Sequence, residues 1–171
     1  PVMQGEICYI ETGGDRLMAE VIKVTGQDAF VQVFESTRGL KVGAVAEFTG
    51  HMLEIQLGPG MLSKNYDGLQ NDLDKMEGVF LKRGQYTEPL DADREWEFVP
   101  IAKPGDRVQE SDWLGQVEEN HQLLKIMVPF QMKGFATVKS VAAAGKYKIH
   151  DVVAVLVDEK GNEIKVDMVQ H

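Results

Sequence analysis

The segment LGPGMLSKNYDGLQNDL, residues 57–73, separates two β-rich halves of the chain and therefore decides how the fold divides. It contains Gly58-Pro59-Gly60 and Asp67-Gly68, two strong turn signals, around residues that match neither a clear helix nor a clear strand pattern. Its last part, continuing to Met76, is compatible with a brief helical turn over Leu69–Met76. The segment thus predicts a hinge between two β modules.

Short runs rich in β-branched, aromatic and aliphatic residues precede the hinge, and turn signals separate them. The clearest alternation is that of Leu53, Ile55 and Leu57 with polar residues between them, which predicts a half-buried strand. Strands this short and evenly spaced indicate a small sandwich or closed barrel. The five predicted strands are Ile7–Ile10, Leu17–Val24, Phe30–Phe34, Val45–Phe48 and Leu53–Leu57.

A second β-rich region begins at Val79-Phe80-Leu81 and continues to the last residues of the sequence. Within it, Val152–Val157 is apolar almost throughout, as expected of a strand covered on both faces. The predicted fold class is therefore mainly all-β, with a small N-terminal β-barrel and a second module like a barrel-sandwich. The predicted strands of this module are Trp113–Val117, Leu123–Val128, Phe135–Val141, Val152–Val157 and Ile164–Val169.

Composition excludes several classes of function. Acidic residues outnumber basic ones by 27 to 18, which gives a net charge of −9. This field repels phosphate backbones, so nucleic acid is not an expected partner. No window approaches the ~18 consecutive apolar residues of a membrane span, so no direct membrane insertion is expected. Cys8 is the single cysteine, and its apolar strand context predicts a small buried hydrophobe rather than a nucleophile.

The sequence carries no motif for catalysis or for a cofactor. The nearest approach to the P-loop pattern G-x-x-x-x-G-K-[ST] is Gly145-Lys146-Tyr147, where Tyr147 cannot supply the magnesium ligand and Gly145 is more simply a turn residue. The four histidines share no metal-ligand spacing, and His121 lies in a polar stretch. The carboxylates within Asp91–Glu97 could serve a metal or acid-base chemistry, and the plainer interpretation is a solvated loop and strand edge. No catalytic, cofactor-binding or metal-binding residue is assigned.

One pattern is typical of a carrier fold. The stretch from Pro104 to Gly115 is partly echoed by Gly145, Ile149, Asp151 and Val153, and two such half-repeats build a biotinyl- or lipoyl-type barrel-sandwich. A carrier also needs a lysine at the tip of a tight hairpin. Lys125 stands in an apolar run, and Lys133 lacks a Met on its far side, so the architecture is carrier-like while modification is not expected.

The order of these segments resembles the catalytic A subunit of the V-type and A-type rotary ATPases. The most specific match is Leu57–Leu62 followed by Tyr66-Asp67-Gly68. Further matches run through nearly the whole chain: Gly5–Ile7, Ala19–Ile22, Val31–Thr37 and Gly39–Gly43 in the first half, then Phe80–Gly84, Trp96–Pro100, Gly105–Val108, Leu114-Gly115 and Ile126–Pro129 in the second. The family usually has Arg-Pro-Leu where this chain has Asn71-Asp72-Leu73, which puts any role of the missing arginine in doubt.

The resemblance implies an N-terminal fragment that ends before the P-loop. Its expected parts are a barrel at 1–57, a hinge and the start of a nucleotide-binding domain at 58–78, and an inserted bulge domain at 79–171. The parent protein would couple hydrolysis or synthesis of ATP, bound with magnesium, to proton or sodium transport. The fragment would be structural and non-catalytic, peripheral to the membrane on the cytoplasmic side. Expected partners are the B subunit, other head subunits and the peripheral stalk.

Two other classes of function remain open from the residues alone. One is the carrier domain of a biotin- or lipoate-dependent complex, for which Lys125 or Lys133 would bear the cofactor. The other is a β-barrel scaffold of a different multi-subunit machine. The paired GPG and YDG signals favour the rotary ATPase over both.

Overall fold

β-Strands make up nearly all regular structure in residues 1–76, 84 and 86–171, the part of the chain that the computed structural model describes. This confirms the predicted mainly all-β class. Two compact units are present. The first unit contains Pro1–Ile55 and Asn65–Thr87, and the second contains Gln56–Lys64 and Glu88–His171. The boundaries predicted at 57/58 and 78/79 stay a prediction.

The first unit is built on one antiparallel sheet of four strands in the order β3-β2-β1-β4. Cys8, Ile10 and Ala19 form its buried centre, which confirms Cys8 as a core residue. Burial, together with the nearby charge of Glu6, raises the pKa of the Cys8 thiol. A 3₁₀ turn at Leu73–Lys75 follows. The strands are β1 Glu6–Thr12, β2 Asp15–Thr25, β3 Asp28–Val33 and β4 Val45–Met52.

The second unit contains two four-stranded sheets, β10-β5-β7-β8 and β12-β11-β9-β6. All of their strand pairs are antiparallel. Two hydrophobic clusters fill the unit, one around Leu114, Val138 and Leu156 and the other around Phe98 and Val153. The strands are β5 Glu95–Pro100, β6 Arg107–Gln109, β7 Trp113–Glu119, β8 Gln122–Met127, β9 Phe135–Val141, β10 Gly145–Lys148, β11 Ala154–Asp158 and β12 Glu163–Val166.

The half-repeat seen in the sequence recurs in the geometry of the second unit. The Asp112 carboxylate accepts the backbone N–H of Gln109 at 2.8 Å, and the Asp151 carboxylate accepts that of Lys148 at 2.7 Å. Each aspartate closes a turn shortly before a fully buried residue, Leu114 or Val153. In both halves of the unit, an aspartate that accepts the N–H three residues before it therefore forms the turn from one sheet to the other.

The predicted half-buried strand at Leu53–Leu57 is wrong. β4 ends at Met52, and the side chains of Leu53, Ile55 and Leu57 are 42%, 54% and 45% exposed. Alternation predicts which face of a strand would be apolar, but a strand forms only where a partner satisfies its backbone. Leu57 forms an isolated bridge with Gln170, which is not enough to make a strand.

The acidic run is divided between a loop and a strand: Asp91 and Asp93 lie in the loop before β5, and Glu95 and Glu97 belong to β5. β5 lies between β10 and β7. Its Trp96 and Phe98 are 3% and 0% exposed, while Glu95 and Glu97 are exposed. The carboxylates are thus solvated as expected, and the aromatic residues between them place the strand in the core.

Two further details differ from the sequence predictions. Gly145 is the first residue of β10 rather than a turn residue. The three-residue strand β6 was not predicted, since Arg107 and Gln109 are exposed and only Val108 is buried. The predicted start of the second β region at Val79–Leu81 lies outside the described residues.

Replacing Gly115 by alanine should destabilise the second unit strongly. A Cβ atom at this position would lie 2.2 Å from Cε2 of Phe98 and 3.0 Å from the carbonyl oxygen of Val99. Relieving such overpacking typically costs about 1–3 kcal/mol. Urea unfolding followed by tryptophan fluorescence measures it, because both tryptophans, Trp96 and Trp113, lie in this unit.

Gly145→Ala is the matched control for that substitution. Its added Cβ would meet Tyr147 Cε2 at 3.5 Å, an ordinary van der Waals distance. Equal unfolding midpoints for Gly115→Ala and Gly145→Ala would show that the β5–β7 contact at Gly115 is not close-packed.

Candidate interaction site

The histidines do not form a common site. His121 Nδ1 is 3.5 Å from Glu118 Oε1, and His150 Nδ1 is 3.3 Å from Asp167 Oδ2, as two separate surface pairs. In the described ranges, no three His, Cys, Asp or Glu side chains come together in an arrangement that could hold a metal ion. No helix of the described part is long and apolar enough to cross a membrane.

The lysines of the carrier hypothesis differ in their surroundings. Lys125 lies within β8, where its Nζ donates to Gln116 Oε1 at 2.6 Å and lies 4.7 Å from the centre of the Trp113 ring. Lys133 is exposed beside Gly134. Lys125 therefore occupies a strand position with a hydrogen-bond partner, and not the free hairpin tip that a modifying enzyme requires.

Apolar side chains are exposed on both edge strands of the first unit. Phe30 on β3 is 53% exposed, and Val45 and Met52 on β4 are 63% and 60% exposed. An edge strand also presents N–H and C=O groups that can pair with another strand. Each of these two opposite edges, with Phe34 just after β3 and Phe48 on β4, is a candidate surface for another polypeptide.

A buried carboxylate fixes the β4 edge. Glu6 Oε1 accepts the backbone N–H of Gly50 at 2.6 Å, and Oε2 accepts that of Met3 at 2.8 Å. Because both bonds favour the ionised form, the pKa of Glu6 lies below its usual value, with the Met3 bond the larger cause. The start of β1 is thereby tied to the bend within β4.

A second anchor joins the chain after the hinge to β2 and the residues after β3. The Tyr86 hydroxyl accepts the backbone N–H of Met18 at 2.8 Å and donates to Glu35 Oε1. The other oxygen of Glu35 accepts the backbone N–H of Gly84 at 2.6 Å. Burial and the Glu35 bond raise the pKa of Tyr86, so its hydroxyl keeps its proton and remains a donor.

The YDG segment forms a turn closed by its own aspartate. Asp67 Oδ1 accepts the backbone N–H groups of Leu69 at 2.9 Å and Asn71 at 2.8 Å. Asn71 Oδ1 in turn accepts the Thr87 N–H at 2.9 Å, and the Asp72 N–H donates to Thr87 Oγ1 at 2.6 Å. Asn71 and Asp72, which stand where the resembling family has Arg-Pro, are 4% and 1% exposed and hold the end of this segment.

Sequence reasoning missed the buried polar residues Glu6, Asn71 and Glu119, which organise these turns. For Glu119 a signal was present. Val117 is buried in β7, and residues two apart on a strand face the same side. The period of two therefore places Glu119 toward the interior and its neighbour Glu118 toward solvent.

Asp67→Asn should weaken the YDG turn in a pH-dependent way. Burial alone would raise the pKa of Asp67, but the hydrogen bonds from Asn71 and Leu69 outweigh it and the pKa is lowered. A lowered folded-state pKa contributes stability above the unfolded value of about 3.9, which is lost as pH falls through the folded value. The loss of protection in the variant should therefore be largest near neutral pH and shrink below about pH 4.

Amide protection factors of Leu69 and Asn71, measured in wild type and variant across this range, check the prediction. Asp28→Asn, at the exposed first residue of β3, is the control. A difference between wild type and Asp67→Asn that stays constant with pH would contradict it.

Comparison with known proteins agrees with these two units. The model described as the ATP synthase alpha/beta family beta-barrel domain matches residues 1–50. The model described as the ATP synthase alpha/beta subunit barrel-sandwich domain matches residues 87–171. The barrel-sandwich description agrees with the repeated turns at Asp112 and Asp151.

Curated relatives match almost the whole chain. The V-type ATP synthase alpha chain of Treponema denticola is 44% identical over 170 residues, covering 98% of this chain and 29% of the relative. V-type ATP synthase alpha chain 1 of Treponema pallidum gives the same identity and coverage. The alpha chain of Protochlamydia amoebophila is 40% identical over 172 residues, 99% of this chain and 29% of the relative.

The chain thus spans less than a third of the length of these relatives, in their N-terminal region. The match through both units confirms the resemblance that the GPG and YDG segments predicted. The chain belongs to the ATP synthase alpha/beta family.

Proposed function

We propose that this chain is the N-terminal part of the catalytic subunit of a V-type ATP synthase and serves there in subunit assembly. The observation that carries the proposal is the 44% identity over 98% of the chain to V-type ATP synthase alpha chains. The whole protein would bind Mg-ATP outside these residues. It would couple ATP hydrolysis or synthesis to proton or sodium transport, as part of a head complex at the cytoplasmic face of a membrane.

The first unit would contact the neighbouring head subunits, among them the B subunit. Support comes from the exposed apolar residues of β3 and β4 and from the position of both strands at the edges of the four-stranded sheet that the described residues form. Pairing of edges combines main-chain hydrogen bonds with apolar contact. Because β4 is held at Glu6 through Gly50, little ordering would be required on association.

The second unit would contact the peripheral stalk through the outer face of the sheet β10-β5-β7-β8. This face presents Val99, Trp113 and Leu123, which are 42%, 55% and 58% exposed. Cross-strand pairs of opposite charge, Glu97 with Lys146 and Glu95 with Lys148, border it. Exposed apolar side chains combined with polar and charged ones are usual in a protein interface.

The gene downstream of the His171 codon should encode a P-loop, G-x-x-x-x-G-K-[ST], and the purified 171-residue chain should not turn over Mg-ATP. The chain carries no such loop to hold the phosphates. Sequencing of the gene and a phosphate-release assay test both statements. A stop codon directly after His171, or measurable turnover by the pure chain, would contradict the proposal.

Two substitutions should separate the two proposed contacts, because each should reduce the recovery of a different partner. In the assembled complex, Phe48→Asp on β4 should reduce co-purification of the B subunit about tenfold or more, because an interfacial charge without a partner is costly to desolvate. Leu123→Asp, on the second unit, should instead reduce recovery of the stalk and serves as the control for the first variant. Equal recovery of both partners with both variants would count against the two surfaces.

A further inference from the structure

The segment Gln56–Lys64, called the strap below, contains the GPG turn and belongs to the second unit. The barrel-sandwich family model matches residues 87–171 and so does not include the strap. The turn signals in the sequence predicted a hinge that includes most of these residues. Their contacts are those of a bound peptide.

The strap begins with backbone pairing to the end of the chain. The Leu57 N–H donates to the Gln170 carbonyl and the Gln170 N–H donates to the Leu57 carbonyl, both at 2.8 Å. The Gln170 side chain also donates to the Met127 carbonyl at 3.0 Å. The strap is thereby linked to the residues that end β8.

The GPG turn lies against the interior with little free space. A Cβ at Gly58 would be 3.1 Å from Leu90 Cδ1 and 3.1 Å from the Met168 carbonyl oxygen. Pro59 and Gly60 are buried. Gly60 has a φ of 105°, which residues with a side chain rarely adopt. A Cβ atom at Gly60 would lie 3.5 Å from Trp96 Cζ2.

Glu119 binds the far side of the turn. Its side chain, on a residue only 3% exposed, accepts the Gly60 N–H at Oε2 at 2.9 Å and the Leu62 N–H at Oε1 at 3.2 Å. The N–H groups of Gly60 and Leu62 thus donate to the same carboxylate, while Pro59 between Gly58 and Gly60 has no N–H to satisfy. A buried carboxylate without donors is costly, and charge-assisted bonds are about twice as strong as neutral ones. Glu119 and the strap therefore stabilise each other.

The strap also covers part of the hydrophobic core of the second unit. Met61 packs against the cluster around Phe98 and Val153. A cavity of about 290 Å³ lies between the strap and β8, lined among others by Met61, Leu124 and Met127. Without the strap, this side of the core would face water.

We propose that the second unit contains a peptide-binding cleft whose occupant is the chain's own strap, captured by the Glu119 carboxylate and the Gln170 backbone. The barrel-sandwich is complete only when residues 56–64 occupy this cleft. The GPG segment is therefore a docked element that moves with the second unit. The inference rests on contacts within the second unit and is independent of the proposed assembly role.

Hydrogen exchange of single amides in the complete 171-residue chain tests the proposal. In the wild type, the amides of Gly60 and Leu62 should be protected to the same degree as those of Val138 and Val153, which are bonded in the core. Glu119→Gln should raise exchange at Gly60 and Leu62 about tenfold relative to these two reference amides, because one of the two acceptors is lost.

Glu118→Gln is the matched control, since the side chain of Glu118 is 62% exposed. Gly58→Ala keeps Glu119 but crowds Leu90 and Met168, and should raise the same two exchange rates. Absence of protection at Gly60 and Leu62 in the wild type would overturn the proposal. Unchanged exchange rates at Gly60 and Leu62 in Glu119→Gln would also overturn it. Loss of protection at every amide of the second unit in Glu119→Gln, but not in Glu118→Gln, would support it, because the unit would then depend on the docked strap.

Discussion

The close approach of β5 and β7 at Gly115 is the constraint on which the second unit depends. The Phe98 ring occupies the space that a side chain at Gly115 would need, with its Cε2 2.2 Å from the ideal Cβ position. The same ring meets Tyr147 edge-on at a centroid distance of 6.0 Å and an interplanar angle of 87°. One aromatic side chain therefore links β5 to β7 on one side and to β10 on the other, which fixes three of the four strands in that sheet.

Strands with apolar residues on at least one face could be predicted from the sequence. β1, β2, β7 and β9 were found within a few residues of their observed ends, because burial of alternate side chains produced the pattern. β5, β6 and β10 were missed. In these three strands most exposed positions are charged or polar, with Val99 of β5 as the exception, and each strand is short enough for those residues to dominate the local composition.

The error at Leu53–Leu57 has the opposite cause. The pattern there is clear, yet these residues form no strand, and Leu57 makes an isolated bridge with Gln170. Strand formation depends on a neighbour that is distant in sequence, and local alternation contains no information about that neighbour. The same reasoning explains why the GPG signals correctly predicted a turn, while its attachment at Gln170 and Glu119 could be recognised only in three dimensions.

The buried polar residues were the least predictable part of the candidate site. Asn71 and Asp72 looked like ordinary hinge residues, and their departure from the family's Arg-Pro pattern put a role of that position in doubt. In the structure they bind Thr87 through two hydrogen bonds: Asn71 Oδ1 accepts the Thr87 N–H, and the Asp72 N–H donates to the Thr87 hydroxyl. These two residues thus have a structural task in this chain, the attachment of the YDG segment to Thr87.

Several carboxylates of this acidic chain have structural roles in turns. Glu6, Asp67, Glu119, Asp112 and Asp151 each direct an oxygen at backbone N–H groups of nearby turns. Such bonds lower the pKa of Glu6 and Asp67, whereas a general acid needs a pKa raised toward the working pH. These carboxylates are committed to holding turns in place, and what the turns position are edge strands and sheet faces. In the described part of the chain, these side chains therefore act as acceptors that fix turns, including those that border β1, β7 and β11.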